Sequence, residues 1–154
     1  MKFTDLITPQ TVLKDIRTGT KPEVLAELAG CAALLTHLDR MTIFRALLDQ
    51  EAIVSSGLGL GVAMPHARFA DLIQPVALFA QLGHPIDFHA LDKRPVDILF
   101  LLLGPDPATA TYLKLLRSAS RALRDPVARE ALRERFDAAA ITSALQCNAL
   151  SMPL

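Results

Sequence analysis

His66 is where the type and spacing of residues first suggest chemistry. It is one of four histidines, and it stands near the end of SSGLGLGVAMPHARF, residues 55–69. Gly57, Gly59 and Gly61 permit positive φ and close approach of a ligand to backbone N–H groups. Successive N–H groups in such a loop can form an anion-binding nest, and Ser55 and Ser56 add hydroxyl donors. Pro65 disfavours helix at Met64 and stiffens the segment. GVAM reads as a short strand, which sets His66 at a strand end beside a loop able to hold an anion. An imidazole with its ordinary pKa of about 6.5 is mostly neutral slightly above pH 7, so one ring nitrogen has a free lone pair. Phosphoryl transfer asks a protein mainly for positioning and for donors to the equatorial oxygens. A neutral histidine beside a Gly/Ser loop supplies both, and a phosphohistidine can pass its group on. The plainer reading is a turn histidine among turn residues, and residue chemistry alone favours it.

Other site chemistries fit less well. No Gly-Lys-Ser/Thr follows the glycines, so this is not a Walker loop, and no GxSxG marks a nucleophile elbow. The spacing of His66, His84 and His89 does not match a zinc signature. Cys31 and Cys147 lie far apart without CxxC spacing, among alanines and leucines, and read as buried free thiols.

The elements that must position His66 follow from patterning. The 154 residues, 51% hydrophobic and 21% charged, fit one domain spanning 1–154 and exclude global disorder. Formal net charge is zero, which argues against bulk capture of nucleic acid. The start has no signal-peptide apolar core and no run approaches a membrane span, so a cytoplasmic protein without membrane insertion is expected. Thr20, Pro22 and Glu23 signal a helix start with a capping box. Val24, Leu25, Leu28, Cys31, Ala32 and Leu35 then mark its inner face. A second helix follows Asp39, with Ile43, Phe44, Leu47 and Leu48 turned inward. PVALFAQL (75–82) reads as a strand, GHP (83–85) as a turn, and RPVDILFLLLGP (94–105) as a buried central strand. A helix over 109–123 lines up Leu113, Leu116, Ala119 and Leu123, and Asp125-Pro126 and Asp137 cap two further helices. Two helices, a cluster of strands, then two or three helices predict an α/β (α+β) three-layer sandwich. Its sheet is expected to be mixed, with helices on both faces.

SSGLGLGVAMPHAR resembles the active-site segment of the IIA proteins of the bacterial phosphoenolpyruvate-dependent phosphotransferase system, in the fructose/mannitol and nitrogen-regulatory branch. Gly57, Gly59, Gly61, Ala63, Pro65 and His66 fall on that pattern in register. FAQLGHPIDFHALDKRPVDILFLLLGP (79–105) is similar to a second family segment through Gln81, Pro85, Ile86, Phe88, Ala90, Asp92, Pro95, Val96 and Asp97. The resemblance covers essentially the whole chain. It implies a mixed sheet between helical layers, no cofactor, and a phosphoryl group accepted on His66 from a phosphorylated histidine-containing carrier protein. The free-standing length points to the nitrogen-regulatory branch, whose phosphorylation state is read by downstream target proteins controlling nitrogen and potassium physiology. A regulator of the same fold that acts by contact alone and a sugar-specific IIA component are the alternatives.

Three positions depart from the family pattern. Gln50 stands where an arginine usually precedes glutamate, and Leu60 where asparagine is common. Tyr112 stands where the family has a second histidine. Its hydroxyl can bond to the phosphoryl group or to His66, or its ring can simply pack. Arg68 is a source of the positive charge that Gln50 lacks, or a solvated arginine. Lys114, Arg117, Arg121 and Arg124 share one helix face, which reads as solvated or as a docking surface for an acidic partner. His37 and His84 are assigned to surface or turn positions.

Overall fold

The computed structural model describes residues 3–151, with side chains placed for 5–144. Two 3-10 turns, Phe3–Leu6 and Pro9–Thr11, lead into β1 (Val12–Ile16). Two helices follow, α1 (Lys21–Thr36) and α2 (Arg40–Ile53). Five strands come next: β2 (Gly57–Gly59), β3 (Val62–Ala63), β4 (His66–Phe69), β5 (Val76–Ile86) and β6 (Val96–Pro105). The chain then makes α3 (Ala110–Arg124), α4 (Pro126–Glu134) and α5 (Ala138–Ser151).

The capping signals work as side-chain chemistry predicts. Thr20, Asp39, Asp125 and Asp137 accept from Glu23, Thr42, Ala128 and Ala140 N–H, each offsetting one orphan donor of a first turn. Glu23 reaches back to the Gly19 N–H at 3.1 Å, one residue before the cap. α1 stops at His37, whose left-handed backbone (φ 61°) lets its N–H bond the Ala33 carbonyl.

The sheet order is β1-β5-β6-β3-β2, and β4 continues along β6 beyond β3. β5 and β6 are antiparallel, as are β2 and β3, while β1 on β5 and β3 and β4 on β6 are parallel. The mixed sheet and helices on both faces match the sequence expectation. Leu25, Leu28, Ile43 and Leu47 pack from α1 and α2 onto Leu99, Leu101 and Leu103. On the opposite face Tyr112, Leu115, Leu132 and Ile141 cover Ile98, Phe100 and Leu102. β6 therefore buries both sets of alternating side chains, which is why it reads as an unbroken aliphatic run. The Phe79 and Phe100 rings meet edge to face at 4.1 Å.

Four local expectations are corrected. β1 was not foreseen, because VLKDI is short, carries two charges and sits at the sheet edge. GHP is no turn: β5 runs through it to Ile86, and the register shift between Gln81 and Ile86 absorbs the glycine and proline as an irregularity in the strand. α3 is rotated from the expected line. Tyr112, Leu115, Ala119, Ala122 and Leu123 face inward, while Leu113 is exposed. In α1, Leu35 is exposed and Cys31 is a half-buried free thiol, pushed up in pKa mainly by burial. The Cys147 side chain lies outside the described residues.

Candidate active site

β3 and β4 are one strand interrupted at Met64-Pro65. Val62 and Ala63 pair with Ile98 and Leu99, and His66 and Arg68 pair with Leu102 and Gly104, without a slip in register. Proline brings no N–H to this strand, but its carbonyl still accepts from Leu102 N–H at 3.0 Å. Strand parity then sorts the side chains. Ala67 and Phe69 enter the core beneath α1 and α2. His66 and Arg68 share the other face with Leu102 and Gly104, the face covered by α3.

His66 is half-buried, and its Nδ1 lies 2.9 Å from the Met64 carbonyl oxygen. A carbonyl oxygen can only accept, so Nδ1 carries the hydrogen in this contact. The neutral ring therefore keeps its lone pair on Nε2. The backbone path through Met64 and Pro65 thus sets both the orientation and the tautomer of the imidazole.

Tyr112 sits in the first turn of α3, which Thr109 Oγ1 caps by accepting the Tyr112 N–H at 3.2 Å. Its ring lies against Gly104, where any Cβ would overlap the ring carbons. The side chain is 1% exposed, and its Oη is buried without a hydrogen-bond partner. Burial pushes the phenol up to about 12, opposed in part by the Arg68 guanidinium. Arg68 is exposed and makes no ion pair or hydrogen bond among the described residues. Arg68, opposite Gly104, is near enough to Tyr112 for its charge to act on the phenol, and His66 stands two residues before Arg68 on the same sheet face.

The glycine loop is built differently from an open nest. Ser55 Oγ donates to Phe88 O at 2.6 Å and accepts from Gly57 N–H at 3.2 Å. The Glu51 carboxylate takes the Ser56 N–H at 3.1 and 3.2 Å and pairs with Lys21 Nζ at 2.6 Å. Ser56 O accepts from Met64 N–H at 2.9 Å, while Ser56 Oγ is buried without a partner. Gly59 and Gly61, with φ of +89° and +85°, flank the left-handed Leu60 in a hairpin tip. Asp92 Oδ2 accepts Leu60 N–H at 2.7 Å, a bond that leads the lowering of the Asp92 pKa. Arg133 donates to Leu60 O at 2.6 Å and pairs with Asp97 at 3.1 Å. The N–H groups of Ser56, Gly57 and Leu60 are therefore occupied by the chain itself.

Register also separates the tip from the histidine. Gly61 O accepts from Asp97 N–H, whereas His66 lies opposite Leu102. Five residues of strand span about 16 Å. Ser56 lies near the histidine through Met64, whereas Gly59 and Gly61 lie toward the far end of β3. Gln50 is half-buried in the last turn of α2, and its side chain makes no hydrogen bond among the described residues. Glu51 and Gly104 support the site, and Asp92 and Arg133 hold the hairpin tip, without having been singled out as site residues. Two of them carried a signal: Glu51 as the glutamate after Gln50, and Asp92 through its place in the second family segment. No group of three His, Cys, Asp or Glu suited to a metal occurs among the described residues.

Fold, register and site together define a phosphotransferase-type IIA domain. Residues 5–147 match the family model "Phosphoenolpyruvate-dependent sugar phosphotransferase system, EIIA 2", and the chain belongs to this family. It is 41% identical over 145 residues to a nitrogen regulatory protein of Bradyrhizobium diazoefficiens, covering 94% of this chain and 95% of that protein. A nitrogen regulatory protein of Pseudomonas aeruginosa is 37% identical over 142 residues, 92% of each chain. The crystal structure of the nitrogen regulatory protein IIA-Ntr of Neisseria meningitidis superposes with a TM-score of 0.86 at 28% identity. That match covers 92% of this chain and 97% of the other. No helix among the described residues is long and apolar enough to cross a membrane.

Proposed function

We propose that this chain is a cytoplasmic phosphoryl carrier with a regulatory role, and that His66 Nε2 is the acceptor. The observation that carries the reading is the Nδ1–H bond to the Met64 carbonyl, which leaves Nε2 as the nucleophilic nitrogen. The donor is a phosphorylated histidine-containing carrier protein. The Nε2 lone pair forms the new P–N bond while the bond to the carrier's imidazole breaks, and that imidazole keeps the electron pair. Nδ1–H stays on Met64 O throughout and steadies the positive charge that develops on the His66 ring. Arg68, free of other partners on the same sheet face, offsets phosphoryl charge that Gln50 cannot. Ser55, Ser56, Gly57 and Pro65 serve chiefly as the frame that fixes the Met64-Pro65-His66 backbone, while Gly59 and Gly61 shape the hairpin tip.

Similarity to nitrogen regulatory proteins supports a downstream role in nitrogen and potassium signalling, read by partner proteins that distinguish the two phosphorylation states. The test supplies phosphoenolpyruvate, the first enzyme of the system and the carrier to wild type and His66→Ala. Acid-labile phosphate on wild type alone is expected. No phosphate on either, with the carrier charged, would leave a regulator that acts by contact only.

A further inference from the structure

Lys21 is the first residue of α1, and its position needs a physical reason. A cation at a helix N-terminus opposes the helix dipole, and a buried charge loses its hydration. Yet the Lys21 side chain is 14% exposed, and that of its partner Glu51 only 6%. Lys21 Nζ lies 2.6 Å from Glu51 Oε2 and 5.2 Å from the centroid of the Phe88 ring. Well-packed apolar residues would join α1 to α2 at least as firmly as a buried ion pair. What the pair adds is fixed geometry, and here the geometry leads to His66.

Glu51 accepts the Ser56 N–H at both carboxylate oxygens, at 3.1 and 3.2 Å. Ser56 O accepts the Met64 N–H at 2.9 Å, one rung beyond the Gly57–Ala63 pair of β2 and β3. Met64 O in turn accepts from His66 Nδ1 at 2.9 Å. An unbroken run of polar contacts thus joins a buried ammonium to the imidazole. Ser55 adds a second tie at the same place: its Oγ donates to the carbonyl of Phe88, whose ring faces Lys21.

Resting on the assignment of His66 as acceptor, we infer that Lys21 is a positioning residue for that histidine. By holding the Glu51 carboxylate, it fixes the Ser56 peptide. Through Met64 it fixes the carbonyl that keeps the hydrogen on Nδ1 and the lone pair on Nε2. No proton moves along these contacts, and each stays on its donor nitrogen.

Lys21→Met removes the ammonium and leaves Glu51 without its cation. The experiment compares wild type, Lys21→Met and Lys21→Arg, all labelled with nitrogen-15 at histidine and held below their melting temperatures. It reads the tautomer of His66 from proton–nitrogen spectra of the ring, and the initial rate of phosphoryl acceptance from the charged carrier. Small misplacements of a reacting group cost up to about a hundredfold in rate. In Lys21→Met the ring is expected to move from Nδ1–H toward a mixture of tautomers, with a rate about tenfold lower. Lys21→Arg keeps the charge and is expected to restore the wild-type spectrum and most of the rate. Leu28→Ala, a cavity in the α1 core, is the stability control: it should melt lower yet leave the ring spectrum unchanged. Where Lys21→Met does not fold, Lys21→Met with Glu51→Gln removes both charges together and is expected to shift the ring in the same direction. A folded variant that only melts lower, with the wild-type tautomer and a rate within twofold, overturns the inference while leaving His66 as acceptor. Failure of wild type itself to take phosphate overturns the carrier reading, and the ring spectra still decide whether Lys21 orients His66.

Discussion

At the scale of single residues, the proposed chemistry rests on the tautomer of His66. His66 was legible in the sequence because glycine, proline and histidine fall in register with a known pattern. What sets Nε2 free was not legible, because the bond from Nδ1 depends on the path of the backbone through Met64 and Pro65. Tyr112 was legible as a departure, but its packing on Gly104 required knowing how α3 lies on β6. Its pKa yields a prediction about stability. The folded-state value is raised to about 12 from an ordinary 10, so below pH 10 both folded and unfolded chains hold the proton. Between those values the unfolded state loses its proton first, and stability falls as pH rises. Equilibrium denaturation across this alkaline range should show a steeper loss for wild type than for Tyr112→Phe. Equal slopes would contradict the burial of the hydroxyl.

At the scale of elements, the glycine loop divides into two parts with different duties. Its first part, Ser55 and Ser56, is tied to Phe88, Glu51 and Met64 and braces the histidine segment. Its second part is a hairpin tip clamped by Asp92, Asp97 and Arg133. Sequence reading ran the two together as one anion nest, because glycine spacing alone does not say which N–H groups the chain will use itself. Gly61→Ala separates the two readings. Alanine there needs a strained positive φ, and its Cβ would stand 2.5 Å from Arg133 Nη2. A stability loss of about 1–3 kcal/mol is expected from denaturant unfolding. The tip is about 16 Å from Leu102 by strand spacing, so the phosphate partition with the carrier should stay unchanged in the folded protein. A large fall in phosphorylation at full folding would restore the nest. α3 also plays two roles. Tyr112 and Leu115 face the sheet, and the cations Lys114, Arg117, Arg121 and Arg124 stand exposed.

At the scale of the whole molecule, a mixed sheet with a core on each face turns local patterning into a site. The fold class was legible because the central strand is apolar at every position but one and helices flank the strand cluster on both sides in sequence. β1 and the length of β5 were not, since edge pairing and strand irregularities leave almost no compositional trace. The α1/α2 side carries Ala67 and Phe69 of β4, while the α3 side receives His66 and Arg68. One strand thereby anchors in one core and presents its chemistry at the margin of the other. The strand resumes on β6 beyond Pro65 without a register slip, which sets His66 opposite Leu102. The most direct test of the account is the nitrogen chemistry of His66 itself. Protein labelled with nitrogen-15 at histidine is compared before and after transfer from the carrier, using proton–nitrogen correlation spectra of the imidazole ring. A phosphoryl group on Nε2 with Nδ1 protonated in both states is expected. Phosphate on Nδ1, or a His66 ring unchanged while the protein carries phosphate, would contradict it.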